Sequence, residues 1–295
     1  MSREADFIDG LRALATSPAA RGLEDDAAVL DIGGESIVLT HDAMVEGVHW
    51  LAGQDPADVA WKLVAVNLSD LAAKGAEPVG VLLGYSFGSD DARFAEGLRA
   101  VLHEYGVPLL GGDTVQTPGP QSLGLTAIGR ATHRPVPSRS GVNAGDRIFV
   151  TGPVGGAMMG FEAMRDGHEG ADTLPYRRPV PMLAAGRAIA PLAHAMMDVS
   201  DGLLLDAGRM ADASGVTIAI RASDVPLAPG IPPERRDDAL RWGDDYQLLF
   251  ALPPGVAPPC DAWPVGEAQP RGKASILLDG AQVTGHLGWQ HGENG

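Results

Sequence analysis

From residue 57 to residue 74 apolar side chains return at a helical interval, at Ala60, Val64, Leu68 and Leu71. The interval predicts a helix with a packed face. Shorter β-branched and alternating runs predict strands at 27–31 and 35–40, with Gly33-Gly34 as the turn of a hairpin. Further along, 79–87 reads as a strand and 90–105 as a helix closed by Gly106, and PLLGGDTV and LGLTAIGRA read as two more strands. A short amphipathic helix is expected ahead of these, over 7–15. Strands alternating with long helices predict an α/β or α+β domain.

The pattern breaks at HRPVPSRSGVNAGD, residues 133–146, where Pro, Gly and Arg accumulate. Such a stretch marks a junction, and two domains are expected, 1–137 and 138–295. Beyond it DRIFVTG and VTIAIRA read as strands. GAMMGFEAMRDG, PMLAAGRAIAPLAH and SDGLLLDAGRMADASG read as helices, and RWGDDYQLLFALPP as a loop and a strand. The two halves share an order of strand, helix and Asp-bearing loop without a clean repeat.

Composition narrows the class. Hydrophobic residues are 45% of 295, enough for sizeable cores. A net charge of −16 makes nucleic acid a poor partner, because phosphates require a basic surface. No apolar run approaches the roughly 20 residues of a membrane span, and the start lacks the basic and apolar order of a signal peptide. Cys260 is the single cysteine, which excludes an internal disulfide or a cysteine-based metal cluster. A cytoplasmic location is therefore expected.

Candidate chemistry lies in aspartates at the ends of elements: Asp26, Asp42, Asp70, Asp113 and Asp198. Mg²⁺ prefers hard oxygen ligands and is commonly held by one or two carboxylates plus substrate phosphates. Each aspartate alone is equally a cap, a turn residue or a solvated charge. Context bears on two of them. Asn67, Asp70 and Lys74 share one stripe of an otherwise apolar helix, and a buried carboxylate needs a partner or a metal. MMDVSDGLLLDAG places Asp198, Ser200 and Asp201 before an apolar run, where one cap would suffice. Gly111-Gly112 either admits a phosphate to the backbone or makes a tight turn. The loop TGPVGGA joins strand to helix as a phosphate loop does, but no G-x-x-x-x-G-K-[ST] pattern occurs in the chain, and a structural turn is the preferred reading. His49 in EGVHW and Arg139 in SRSG read either as ligand contacts or as ordinary structural and surface residues. Zinc-type His/Cys spacing, the H-R-D and D-F-G set of protein kinases and G-x-S-x-G are all absent.

Taken in order, EDDAAV, THDAMVEGVHW, AVNLSDLAAKGAEP, LLGGDT, SRSG, MMDVSDGLLLD and RWGDDYQLLF resemble the thiamine-monophosphate kinase family, within the aminoimidazole ribonucleotide synthetase-like superfamily. The resemblance runs from about residue 20 to GWQHG. It implies an α/β plus α+β two-domain fold whose N-terminal sheet domain forms a homodimer, with ATP between the domains. It implies Mg²⁺-assisted transfer of the γ-phosphoryl of ATP to thiamine monophosphate. Carried over by motif, metal contacts are expected at Asp26, Thr40, His41, Asp42, Asp70, Asp113, Asp198 and Asp201. Nucleotide contacts are expected at Gly112, Asp113, Arg139 and Ser200, and thiamine-phosphate contacts at His49, Asp244 and Trp289. The chain departs from the family pattern at Glu24, where glycine is usual, and at His41, where Ser or Thr is usual. WGDDYQ replaces G-G-E-D-Y-E, and GWQHG lacks an aromatic after its His. The alternatives are another ATP-using enzyme of the superfamily, of the purine-pathway amidine synthetase or cyclase type, a non-catalytic nucleotide-binding relative, and a metal-dependent hydrolase.

Overall fold

One helix lies between two mixed sheets, and its burial governs the site. The computed structural model describes residues 3–290. After helix α1 (Arg3–Arg12) the chain forms β1 (Ala28–Ile32) and β2 (Glu35–Val45). Gly33 at φ 59° and Gly34 at φ 89° make the hairpin turn between them, a left-handed conformation that glycine adopts without strain. Helix α2 (Pro56–Ala73), β3 (Ala76–Ser86), α3 (Asp91–Tyr105), β4 (Leu109–Val115) and β5 (Ser122–Ala131) complete the first half. Its five strands are ordered β1-β2-β5-β3-β4. β2 and β5 pair antiparallel, with Thr40 opposite Ala127, whereas β3 and β4 run parallel.

β2 alternates in burial. Ser36, Val38, Thr40 and Met44 are buried, while His41 is exposed on the other face. That is the two-residue period of a pleated strand. It aims Thr40 and Asp42 toward α2. The strand continues to Val45, beyond the expected end at Thr40.

The second half contains β6 (Arg147–Val150), α4 (Gly156–Arg165), α5 (Leu174–Arg177), α6 (Leu183–Ile189), β7 (Ala195–Asp198), α7 (Leu203–Ser214) and β8 (Val216–Ile220), followed by α8 (Arg236–Arg241), β9 (Leu248–Leu252), β10 (Trp263–Pro270), β11 (Ile276–Leu278) and β12 (Ala281–Gln282). The seven-stranded sheet is ordered β12-β11-β8-β10-β6-β9-β7. The helix expected over PMLAAGRAIAPLAH is shorter than its apolar pattern, because Pro181 and Pro191 confine it. AMMD, given no element between two expected helices, is the fully buried strand β7, and β10 to β12 also lie where no element was expected. Residues 291–295 lie outside the described residues, so the expected fraying of GENG does too. No described helix is long and apolar enough to cross a membrane.

α2 begins with Pro56 in its first turn and the Asp55 side chain accepting from the Ala57 N–H, a standard helix start. It packs on the first sheet on one side. On the other it meets α6 so closely that a Cβ on Gly186 would lie 2.0 Å from the Ala72 carbonyl oxygen. Burial on both sides explains its apolar composition. It also means that its polar residues Asp58, Lys62, Asn67, Ser69 and Lys74 are buried and held by partners.

Candidate active site

A cleft of about 1390 Å³ opens between the two halves. At its wall three segments bring carboxylates together. Asp26 comes from the bend before β1, Asp70 from the inward stripe of α2, and Asp198 from the end of β7. One oxygen from each lies within 4.8 Å of the others. The bend is sharp, with Arg21, Gly22 and Leu23 all at positive φ, and it turns Asp25 and Asp26 inward. Hydroxyls complete the cluster: Thr40 Oγ1 donates to Asp70 Oδ2 and Ser69 Oγ donates to Asp198 Oδ2 at 2.5 Å. Asn67 Oδ1 accepts from the Asp42 N–H at 3.1 Å, tying β2 to α2 beside the cluster.

These carboxylates are held where charge is costly. Burial, reinforced by Asp26, pushes Asp198 up to about 8. Burial, Asp201 and Asp26 push Asp42 up to about 6. Burial together with Asp42 and Asp198 raises Asp70 well above the ordinary carboxyl value. Arg139 meets Asp26 Oδ1 through Nε at 2.7 Å. Lys74 Nζ lies 2.7 Å from Asp26 Oδ2, close enough for charge attraction, yet that buried oxygen has no aligned hydrogen-bond donor. A hard oxygen set with an unfilled buried lone pair suits a divalent cation such as Mg²⁺; Asp26, Asp70 and Asp198 are the residues whose oxygens meet to hold it, with Asp42 adjoining in the cleft.

The loop after β7 is shaped by a residue that the sequence reading missed. Asp206, one turn into α7, accepts from the Ser200 and Asp201 N–H groups at 3.1 and 3.0 Å. Arg209 links Asp206, at 2.9 Å, to Asp201. Ser200 and Asp201 line the cleft, with the Asp201 side chain held by Arg209. Helical spacing from the Asp201 motif was the available signal, since Asp206 and Arg209 lie on one face of the same helix.

Across the cleft, Lys62 on α2 donates to Asp244 Oδ2 at 2.8 Å and to the His49 carbonyl at 3.0 Å, with its ammonium 4.0 Å from the Tyr176 ring centre. Tyr246 donates to Asp244 Oδ1 at 2.9 Å. His49 Nδ1 accepts from the Val45 N–H at 3.0 Å, and Trp289 closes the rim, its backbone N–H donating to the Asp201 carbonyl at 2.8 Å. Asp244 and Tyr246 both take left-handed backbone angles, φ 65° and 52°. Gly243 beside them touches the Ser200 carbonyl so closely that a Cβ would lie 2.2 Å away. The expectation of a thiamine contact at Asp244 therefore gains a partner it lacked: Lys62 shares its charge.

Three expected residues are not brought to this cleft. The His41 side chain is on the outer face of β2, with Nδ1 2.9 Å from Thr126 Oγ1, because strand alternation turns it away from Thr40 and Asp42. Gly112 and Asp113 are exposed on β4, the sheet edge opposite β1. Gly112 is required by β3, since a Cβ there would lie 1.9 Å from the Leu83 carbonyl oxygen. The loop TGPVGGA does hold an anion, but an internal one: the Asp245 carboxylate accepts from the Gly155 N–H at 2.7 Å and the Ala157 N–H at 3.4 Å.

Comparison with known proteins places the chain in a family. Residues 24–131 match the N-terminal domain of AIR synthase related proteins, and residues 143–279 match their C-terminal domain. The thiamine-monophosphate kinase of Caulobacter vibrioides is 38% identical over 309 aligned positions, covering 93% of this chain and 86% of that protein. The chain belongs to the thiamine-monophosphate kinase family. The fold expected from that family, two domains of α/β and α+β type, is therefore the one observed. The structure of AaThiL complexed with AMPPCP and TMP superposes with a TM-score of 0.87 at 29% identity, over 97% of this chain and 96% of that one. Thiamine-monophosphate kinase from Stenotrophomonas maltophilia superposes at 0.77 with 32% identity, over 94% and 96%.

Proposed function

We propose that the protein transfers the γ-phosphoryl group of ATP to thiamine monophosphate, releasing ADP and thiamine diphosphate. One observation carries this reading: the meeting of Asp26, Asp70 and Asp198 oxygens within 4.8 Å at the wall of a cleft of about 1390 Å³. That volume exceeds the several hundred Å³ of an ordinary ligand pocket and suits two substrates side by side. Family relatives supply the chemistry, since a protein named thiamine-monophosphate kinase is 38% identical along most of the chain.

Phosphoryl transfer is dominated by positioning and charge neutralisation. The acceptor is a phosphate oxygen already ionised near neutral pH, so no strong general base is needed. The bond between the γ-phosphorus and the bridging oxygen breaks, that oxygen leaves as a terminal phosphate oxygen of ADP, and a new bond forms to the acceptor oxygen. Asp26, Asp42, Asp70 and Asp198, with Thr40 and Asp201 alongside, would hold Mg²⁺, which would supply neutralisation of the phosphates. Arg139 and the Ser200 hydroxyl contact the nucleotide, and the loop that carries Ser200 is held by Asp206 through the Ser200 and Asp201 N–H groups. Asp244 and the face of Trp289 receive the cationic thiazolium, with His49 beside them.

Homodimer formation through the first sheet belongs to the same proposal. Leu82, Leu110 and Val115 on β3 and β4 are 39 to 54% exposed, uncovered apolar side chains of the kind that association hides. A division of the chain near residue 137 and a cytoplasmic location complete the reading. The test is incubation of the protein with ATP, Mg²⁺ and thiamine monophosphate. Equal amounts of ADP and thiamine diphosphate are expected; ADP without thiamine diphosphate, or neither product, overturns the proposal.

A further inference from the structure

The chain has three lysines, Lys62, Lys74 and Lys273, and two of them are buried on or at the end of α2, Lys62 1% and Lys74 0% exposed. Lysine is almost never fully buried without a paired charge. Lys62 is accounted for by Asp244. Lys74 has no place in the phosphoryl transfer described above, yet it is held from three sides. Its ammonium pairs with Asp25 Oδ1 and, at 2.7 Å, with Asp26 Oδ2, and it donates to the Met196 carbonyl at 3.3 Å. It thus joins the end of α2 to the bend before β1 and to β7, the three segments that bring Asp70, Asp26 and Asp198 together. Asp25 is not one of the three meeting carboxylates; its other oxygen is taken by Arg21.

We propose that Lys74 is a positioning residue, a tethered counterion that holds Asp26 in place and offsets part of the acidic charge. With it, the carboxylate cluster stays assembled without a divalent ion and receives metal as a preformed site. Two features of electrostatics give Lys74 this role. Like charges brought together in a poorly solvated place repel strongly unless a cation stands among them. A cation fixed to the backbone at the helix end costs no ion uptake from solution, and the C-terminal end of a helix favours positive charge. The inference rests on the metal-binding reading of Asp26, and the experiment separates the two.

The test is Lys74→Met, which keeps chain length and removes charge, with thermal melting in EDTA and in millimolar Mg²⁺, both without nucleotide. The melting temperature in EDTA is expected to fall, and Mg²⁺ is expected to raise that of the variant at least twice as far as it raises the native protein. An equal loss with and without Mg²⁺ would mean that Lys74 only fills space, and the counterion proposal falls while the metal site stands. A native protein whose melting ignores Mg²⁺ overturns both readings. If Lys74→Met does not fold, the double variant Asp25→Asn with Lys74→Met removes one charge of each sign. It is expected to fold and to show a cooperative melt in EDTA where the single variant shows none; a double variant that also fails to fold overturns the proposal.

Discussion

Helix α2 carries an inward-facing aspartate near each end, Asp58 and the partly exposed Asp70, and the fold treats the two in opposite ways. Asp58, in the first turn, is 1% exposed and receives Arg178 Nε at 2.5 Å as well as the guanidinium of Arg177. Those arginines come from the end of α5 and the residue after it, so the pair clamps one half of the molecule to the other. Asp70, near the last turn, receives a hydroxyl from Thr40 and otherwise faces Asp26 and Asp198. The helix macrodipole sharpens the contrast, because it favours a carboxylate at the N-terminal end and disfavours one at the C-terminal end. The residue and the helix are the same, and what separates the two is that two arginines meet Asp58 while Asp70 faces other carboxylates.

That contrast can be broken by substitution. The largest effect is expected from Asp70→Asn. Loss of a carboxylate from the shared cluster should lower kcat by at least about 10²-fold, while melting in EDTA is unchanged or raised, because an unpaired buried charge has gone. A coupled assay and a melt together check this, and near-native turnover would remove Asp70 from the residues that hold metal. Asp58→Ala should do the reverse. Two guanidinium groups lose their partner, at a cost of about 3 kcal/mol, the lower end for a broken buried pair because both arginines reach solvent. Urea unfolding measures it, and kcat of the folded fraction should stay within about threefold.

Asp245 is an intermediate case, a buried carboxylate met by backbone N–H groups and no cation. Burial pushes it up to about 7 from an ordinary 3.8. The folded state therefore holds this proton more tightly than the unfolded chain, so its contribution is full below about pH 4 and is lost as pH rises through about 7. Asp245→Asn should flatten the pH dependence of stability between those limits, by at most about 1.4 kcal/mol per pH unit. Unfolding titrations at several pH values test this, and parallel curves for the two proteins would contradict it. The smallest effect is expected at Asp244, which already shares its charge with Lys62. Asp244→Ala should raise KM for thiamine monophosphate about tenfold, equivalent to about 1.4 kcal/mol, with little change in kcat. An unchanged KM would take Asp244 out of substrate binding.

Much of the first half was legible because periodicity and punctuation agreed. The apolar interval over 57–74 marked α2 to within a residue at each end, and Gly106 closes α3 at φ 63° as its position after an apolar pattern suggested. The end of the chain was less legible. β10 carries Pro264, Gly266 and Pro270, residues that read as loop, and only pairing with β6 and β8 makes it a strand. Within the site, motif order was sufficient to nominate Asp26, Asp70 and Asp198. It misplaced His41, although strict alternation along β2 opposes His41 to Thr40 and Asp42. It also passed over Lys62, Asp206 and Asp245, whose neighbouring motifs drew attention away from the side chains that hold them in position.

The amino-acid sequence by itself determined the local directions: which face of α2 is buried, which residues of β2 point inward, where turns fall, and which family the ordered motifs resemble. These follow from short-range sterics and from periods of 3.6 and 2 residues, which any stretch of chain carries within itself. Only the tertiary structure decided which charges are satisfied. Whether an aspartate finds an arginine, as Asp58 does, a helix N-terminus, as Asp245 does, or other aspartates, as Asp70 does, depends on segments far apart in the chain arriving within a few ångströms. No local pattern encodes that distance, and in a poorly solvated interior it is the distance that sets the energy.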